Sequence, residues 1–238
     1  MLLAALSALS LLEAAFNSIP DSHTIASVGW AGYIVASSFN GQKDVVSVSG
    51  SWTVPVVNAS NGDGYSSAWI GIGGQEDKTL IQVGTEHNVY NGNASYGVWY
   101  EMLPALSTRI NNFNVSPGDQ ISARISLVNS DFEQWNIQIA DLTNGESYNH
   151  DFQYNSTRSS AEWILERSLV NGQISTLADF GQVTFTGCTV QVGNRSGVIN
   201  DFTYSVVQMT NQQYERLATA SMLTADGASF TVKYDKRT

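Results

Sequence analysis

Any hydrolytic chemistry in this chain has to come from carboxylates and side-chain amides. Its three histidines, His23, His87 and His150, are far apart with no ligand spacing between them, and no H-E-x-x-H is present. Cys188 is the only cysteine and has no histidine nearby, so it reads as a small buried hydrophobe beside Phe185 and Val190. The G-x-S-x-G elbow, the P-loop, the G-x-G-x-x-G fingerprint and the Asp-Thr-Gly or Asp-Ser-Gly of aspartic peptidases are all missing. What remains is a set of glutamates, Glu86, Glu101, Glu162 and Glu166 among them, and glutamine amides. A carboxylate can take a proton from water and return it to a leaving group. An amide N–H can stabilise an oxyanion and does not titrate, so it works equally well in strong acid. Two carboxylates, Glu162 with Glu86 or Glu101, would instead suit a glycosidase, whose stereochemical outcome follows their separation.

Such side chains need a scaffold, and the dominant period along the chain is two. Val46, Val48, Trp52 and Val54 alternate with Ser47, Ser49, Ser51 and Thr53. Ile121, Ala123, Ile125 and Leu127 alternate with polar residues in the same way, as do Phe230, Val232 and Tyr234. Each pattern is that of a half-buried antiparallel strand. Further strands are expected at Gly29–Ala36, Ser67–Ile72, Leu80–Gly84, Ser95–Met102, Ile110–Val115, Trp135–Asp141, Ser147–Tyr154, Glu162–Leu165, Gln182–Thr186 and Phe202–Met209, separated by turn clusters such as Ser116-Pro117-Gly118-Asp119. Asn211–Leu223 is the best helix candidate. The fold class is therefore all-β, a sandwich of two large antiparallel sheets of the concanavalin-like, jelly-roll type.

Residues 1–16 form an apolar run too short to span a membrane and interrupted by Glu13, as in a signal peptide. The expected division is a leader over residues 1–26 and one domain over 27–238, exported from the cell, with no stable membrane association. Five N-x-[ST] triplets, at Asn58, Asn93, Asn114, Asn155 and Asn194, fit surface loops of an exported protein. Eleven basic residues stand against 21 acidic ones, a net charge of −10, which repels nucleic-acid backbones. Only 13% of residues are charged, so the protonated chain carries little self-repulsion, a composition compatible with work in acid.

Several segments, in order, resemble the eqolisin family of glutamic peptidases. They are Gly29-Trp30-Ala31-Gly32, Gly50-Ser51-Trp52-Thr53-Val54-Pro55, Trp69-Ile70-Gly71-Ile72-Gly73-Gly74, Leu80-Ile81-Gln82-Val83-Gly84-Thr85-Glu86, Trp99-Tyr100-Glu101, Ala161-Glu162-Trp163-Ile164-Leu165-Glu166 and Ala178-Asp179-Phe180-Gly181-Gln182-Val183-Thr184-Phe185. The resemblance runs from about residue 28 to Tyr234. It implies a β-sandwich endopeptidase, active in acid and insensitive to pepstatin, with the catalytic glutamine at Gln82 and the catalytic glutamate at Glu162. It also implies a cleft lined by Trp69 and Tyr100, with Glu86 and Glu101 as substrate-binding or supporting carboxylates. The implied partner is a polypeptide substrate, the implied state a monomer, and neither a metal nor an organic cofactor is called for. Fungal relatives carry an aspartate where this chain has Gly73, so that support is expected to be absent.

Strand parity makes the pair workable. Residues two apart share a face, so Leu80, Gln82 and Gly84 point one way, and Glu162, Ile164 and Glu166 do likewise. Of the other polar residues, Glu166 reads as a surface charge next to Arg167, and His87 as a loop histidine. A carbohydrate-binding β-sandwich, using the six tryptophans and ten tyrosines as stacking platforms, is the competing non-enzymatic reading.

Overall fold

A computed structural model describes residues 24–36, 45–75, 78–170 and 172–235. The alternating segments do form strands, because each can bury one apolar row while its backbone pairs on both sides. One layer runs β10 (Ser147–Gln153), β9 (Gln134–Asp141), β8 (Gln120–Asn129), β3 (Val45–Thr53), β14 (Gln182–Val192) and β18 (Phe230–Tyr234), with β15 (Arg195–Val198) also paired to β14. The other runs β16 (Tyr204–Thr210), β2 (Trp30–Ala36), β11 (Ser160–Glu166), β4 (Gly64–Gly73), β5 (Leu80–Tyr90), β6 (Asn93–Met102) and β7 (Thr108–Arg109). β17 (Arg216–Ala220) pairs with both β16 and β18 and joins the layers into one continuous ladder. All these pairings are antiparallel; β1 (Thr24–Ser27) alone lies parallel, beside β16. β12 (Leu169–Val170) and β13 (Gln173–Ile174) form a separate small hairpin.

The two-sheet expectation holds, with the sheets fused along one edge. Two elements differ from the sequence reading. Asn211–Leu223 contains strand β17 rather than a helix, since its apolar residues Leu217, Ala218 and Ala220 are buried where the ladder turns between layers. Ile110–Val115 is not a strand: Ile110, Phe113 and Val115 are buried, but the backbone turns at Asn111 and Asn112. The expected leader lies outside the described residues up to His23, and the sheet already begins at Thr24. All five N-x-[ST] asparagines are exposed.

The main core fills the space between layers. Trp52, Val48, Ile125, Ile137 and Trp135 from one side meet Ile70, Ile72, Ile81, Val83 and Trp163 from the other. Two indoles also bridge the layers through hydrogen bonds, Trp52 Nε1 to Thr85 Oγ1 at 2.9 Å and Trp163 Nε1 to the Ser49 carbonyl at 2.8 Å. These bonds satisfy polar groups that would otherwise cost free energy to bury. A second, smaller cluster of Ile34, Ala36, Trp69, Leu80, Leu103, Ile164 and Val207 sits on the far face of the second layer. That face carries the candidate site. Tyr154 braces its edge, accepting from the Leu80 amide and donating to the Leu103 carbonyl, each at 2.8 Å.

Candidate active site

The far face of the second layer is a grid of cross-strand rows. One row reads Ile34, Glu162, Gly71, Gln82 and Glu101 across β2, β11, β4, β5 and β6. Residues paired directly across strands project to the same side, so three polar side chains share one line, flanking a glycine. At strand spacings of about 4.8 Å, Glu162 and Gln82 stand roughly 10 Å apart at the backbone, within reach of two long side chains leaning together. The lack of a side chain at Gly71 lets two neighbours pack over it: a Cβ there would lie 2.8 Å from Cζ3 of Trp69 and 2.9 Å from Cδ1 of Leu80. Gln82 and Glu162 are fully buried, and Glu101 nearly so.

Glu101 does more in this row than line a cleft. It accepts a hydrogen bond from Gln82 Nε2 at 2.6 Å. With the amide nitrogen as donor, the contact orients the amide and commits one of its two N–H groups.

The next row reads Gly32, Ile164, Trp69, Gly84 and Trp99. Trp69 is on the same face as Gln82 but wholly buried, in the small apolar cluster beside the row. Its Nε1 donates to Glu166 Oε2 at 2.8 Å, and its ring meets Trp30 edge to face at 5.2 Å. Glu166 is thus not the surface charge expected from sequence. It is buried, and desolvation pushes its pKa up to about 7 against the opposing help of the Trp69 and Trp30 indoles.

Two further expected residues lie away from the pair. Tyr100 is in register with Val83, hence on the opposite face from Gln82; it stacks on Tyr148 at 5.8 Å and packs on Phe152 at 4.8 Å. Parity forces this, since Tyr100 neighbours Glu101, which faces the site. Glu86 shares the face of Gln82 but sits four residues along β5, ion-paired with Arg109 at 2.8 Å and accepting from Asn88 at 3.0 Å. Trp99, two residues before Glu101, is the aromatic on the correct face; the same period-two count would have found it.

His87 is not in a loop. It is a buried residue of β5 facing the core, where desolvation lowers its pKa to about 3 and Thr85 Oγ1 lies 2.8 Å from its Nε2. Cys188 is buried, as expected, and burial raises its thiol pKa. Gly73, at the end of β4, has φ +88° and a missing Cβ that would lie 2.5 Å from the Thr79 carbonyl oxygen. Among the described residues no group of His, Cys, Asp and Glu is arranged to hold a metal ion.

Comparison with known proteins gives a consistent outcome. A family model described as "Peptidase A4 family" matches residues 28–234. Aspergillopepsin-2 of Aspergillus niger is 27% identical over 229 residues, covering 86% of this chain and 77% of that protein. Scytalidopepsin B of Scytalidium lignicola is 27% identical over 210 residues, covering 83% and 76% respectively. Among solved structures, scytalido-glutamic peptidase with a transition state analog inhibitor superposes with a TM-score of 0.73 at 22% identity, over 88% of this chain and 99% of that one. Aspergilloglutamic peptidase from Aspergillus niger superposes with a TM-score of 0.64 at 28% identity, over 72% and 99%.

Proposed function

The chain belongs to the Peptidase A4 family and is a glutamic endopeptidase; on that premise we propose that Glu162 and Gln82 are its catalytic pair, and that it cleaves unfolded polypeptides in acid. The observation that carries this reading is the single row in which Glu162 and Gln82 flank side-chain-free Gly71 on one sheet face.

Glu162, as carboxylate, takes a proton from a water molecule, and the water oxygen attacks the scissile carbonyl carbon. The electron pair of the carbonyl moves onto its oxygen, which accepts an Nε2–H of Gln82. Glu162, now an acid, gives the proton to the amide nitrogen as the C–N bond breaks. Glu101 keeps the Gln82 amide turned so that Nε2 serves as the donor. Because both side chains of the pair are fully buried, substrate reaches them only when neighbouring side chains move aside on binding.

The same proposal includes export of the chain as a monomeric domain, with a leader drawn from the 1–26 segment that ends ahead of β1 at Thr24. The apolar run at the start and the five exposed N-x-[ST] sites support it. The deciding measurement is cleavage of an unfolded polypeptide from about pH 2 to about pH 7, with pepstatin present. Wild type is expected to cleave at the acid end. Gln82→Ala is expected to lose about 10²–10³ in rate, as for removal of an oxyanion donor, and Glu162→Gln to lose more. Undiminished cleavage by either variant overturns the pair.

A further inference from the structure

Glu166 is a buried carboxyl that the proposed chemistry does not use. It lies four residues beyond Glu162 on the same face of β11, in register with Trp30 on one side and Ser67 on the other. Its Oε2 accepts the indole N–H of Trp69 at 2.8 Å. Trp30 closes on Trp69 edge to face, with ring centroids 5.2 Å apart. The ring of Trp69 is therefore held from its pyrrole end and from one side.

The other end of that indole reaches the row of the pair. Its Cζ3 lies so close to Gly71 that a single added carbon there would come within 2.8 Å of it. Cζ3 and Nε1 belong to opposite edges of the bicycle. The ring thus spans from the Glu166 carboxyl to the interval between Glu162 and Gln82. A buried, close-packed ring transmits a shift at one edge to the other, because the interior has no slack to absorb it. A displacement of about 1 Å at a working site can cost about a hundredfold in rate.

We propose that Glu166 is a positioning residue: by accepting the Trp69 indole N–H it sets the ring whose far edge packs over Gly71, between Glu162 and Gln82. The inference rests on the pair assigned above. It predicts a loss in kcat larger than any change in KM, because the ring is set beside the two groups that carry the chemical step.

The test compares Glu166→Gln, Glu166→Leu, Trp69→Phe and the double variant Glu166→Leu/Trp69→Phe as purified full chains. Glu166→Gln keeps an acceptor oxygen for the indole and is expected to stay within about threefold of wild-type kcat in acid. Glu166→Leu is expected to lower kcat about tenfold or more, with KM within about threefold. It should also move the Trp69 indole N–H resonance, which is identified by its absence from Trp69→Phe. The double variant should be no slower than Trp69→Phe, because both substitutions remove one interaction. A folded Glu166→Leu with wild-type kcat, a loss confined to KM, or losses that multiply in the double variant each overturn the proposal. If Glu166→Leu does not fold, the decision falls to Glu166→Gln: a tenfold loss with the Trp69 resonance unmoved is equally fatal. Cleavage retained by Glu162→Gln would instead sink the pair itself, and the Trp69 resonance would still report whether Glu166 holds the ring.

Discussion

Glu101 changes what the Gln82 amide can offer. A free glutamine presents either its oxygen or its nitrogen to a neighbour, whereas the 2.6 Å bond to Glu101 selects the nitrogen. Glu101→Leu is therefore expected to lower kcat about tenfold or more, because the donor is no longer aimed. Glu101→Gln, which retains an acceptor oxygen, should lose less; steady-state kinetics on one peptide substrate separate the two. The sequence marked Glu101 as a residue of the site but held no sign of this bond, since nothing in a linear order shows that positions 19 apart pair directly across β5 and β6. Tyr100 shows the converse. The family resemblance put it in the cleft, yet consecutive strand residues cannot both face the site, and Trp99 holds the position that parity allows.

At the scale of elements, the site depends on strands that come close because some positions lack side chains. Gly71 is the clearest instance: β4 runs between the strands carrying Glu162 and Gln82, and any Cβ there strikes Trp69 and Leu80. Gly71→Ala is expected to destabilise the fold by about 1–3 kcal/mol through overpacking. It should also reduce activity far more than stability at a temperature where the variant is folded, as thermal unfolding and kcat measured side by side would reveal. Gly73 ends the same strand in a left-handed conformation that favours glycine, against the Thr79 carbonyl. An aspartate at this position, as in the fungal relatives, would therefore need a different local backbone. Gly73→Asp is expected to cost stability rather than to restore a missing support, and the unfolding midpoint in denaturant measures this.

Across the whole molecule, two buried titratable groups set opposite limits on stability against pH. His87 is neutral in the folded state down to about pH 3, whereas in the unfolded chain it protonates near 6.5. Its contribution is fully present above pH 6.5 and is lost as pH falls towards 3, on the order of 5 kcal/mol in all. Glu166 runs the other way. Its pKa of about 7 keeps it protonated after an unfolded glutamate has ionised, so its contribution is present below about pH 4.5 and lost as pH rises through 7. The two slopes cancel between them, so stability from these groups is greatest from about pH 4.5 to about pH 6.5. Thermal midpoints across pH should fall on the acid side in wild type and fall less steeply in His87→Leu. Glu166→Gln should flatten the fall on the neutral side. An unchanged acid limb in a folded His87→Leu would remove His87 from this account.

Much of the molecule was settled by the order of its residues alone. Period-two alternation is a local property, so strands such as Val45–Thr53, Gln120–Asn129 and Phe230–Tyr234, and the sharing of a face by Leu80, Gln82 and Gly84, follow from sequence without knowledge of the partners. The chemistry open to the chain was likewise bounded by which side chains it lacks. Only the tertiary structure decided which strands lie together. That decision placed Gly71 between Glu162 and Gln82, gave Glu101 to Gln82, turned Tyr100 away, and buried Glu166 and His87. Register and burial depend on contacts between residues remote in the chain, and those contacts are made only when the layers close on one another.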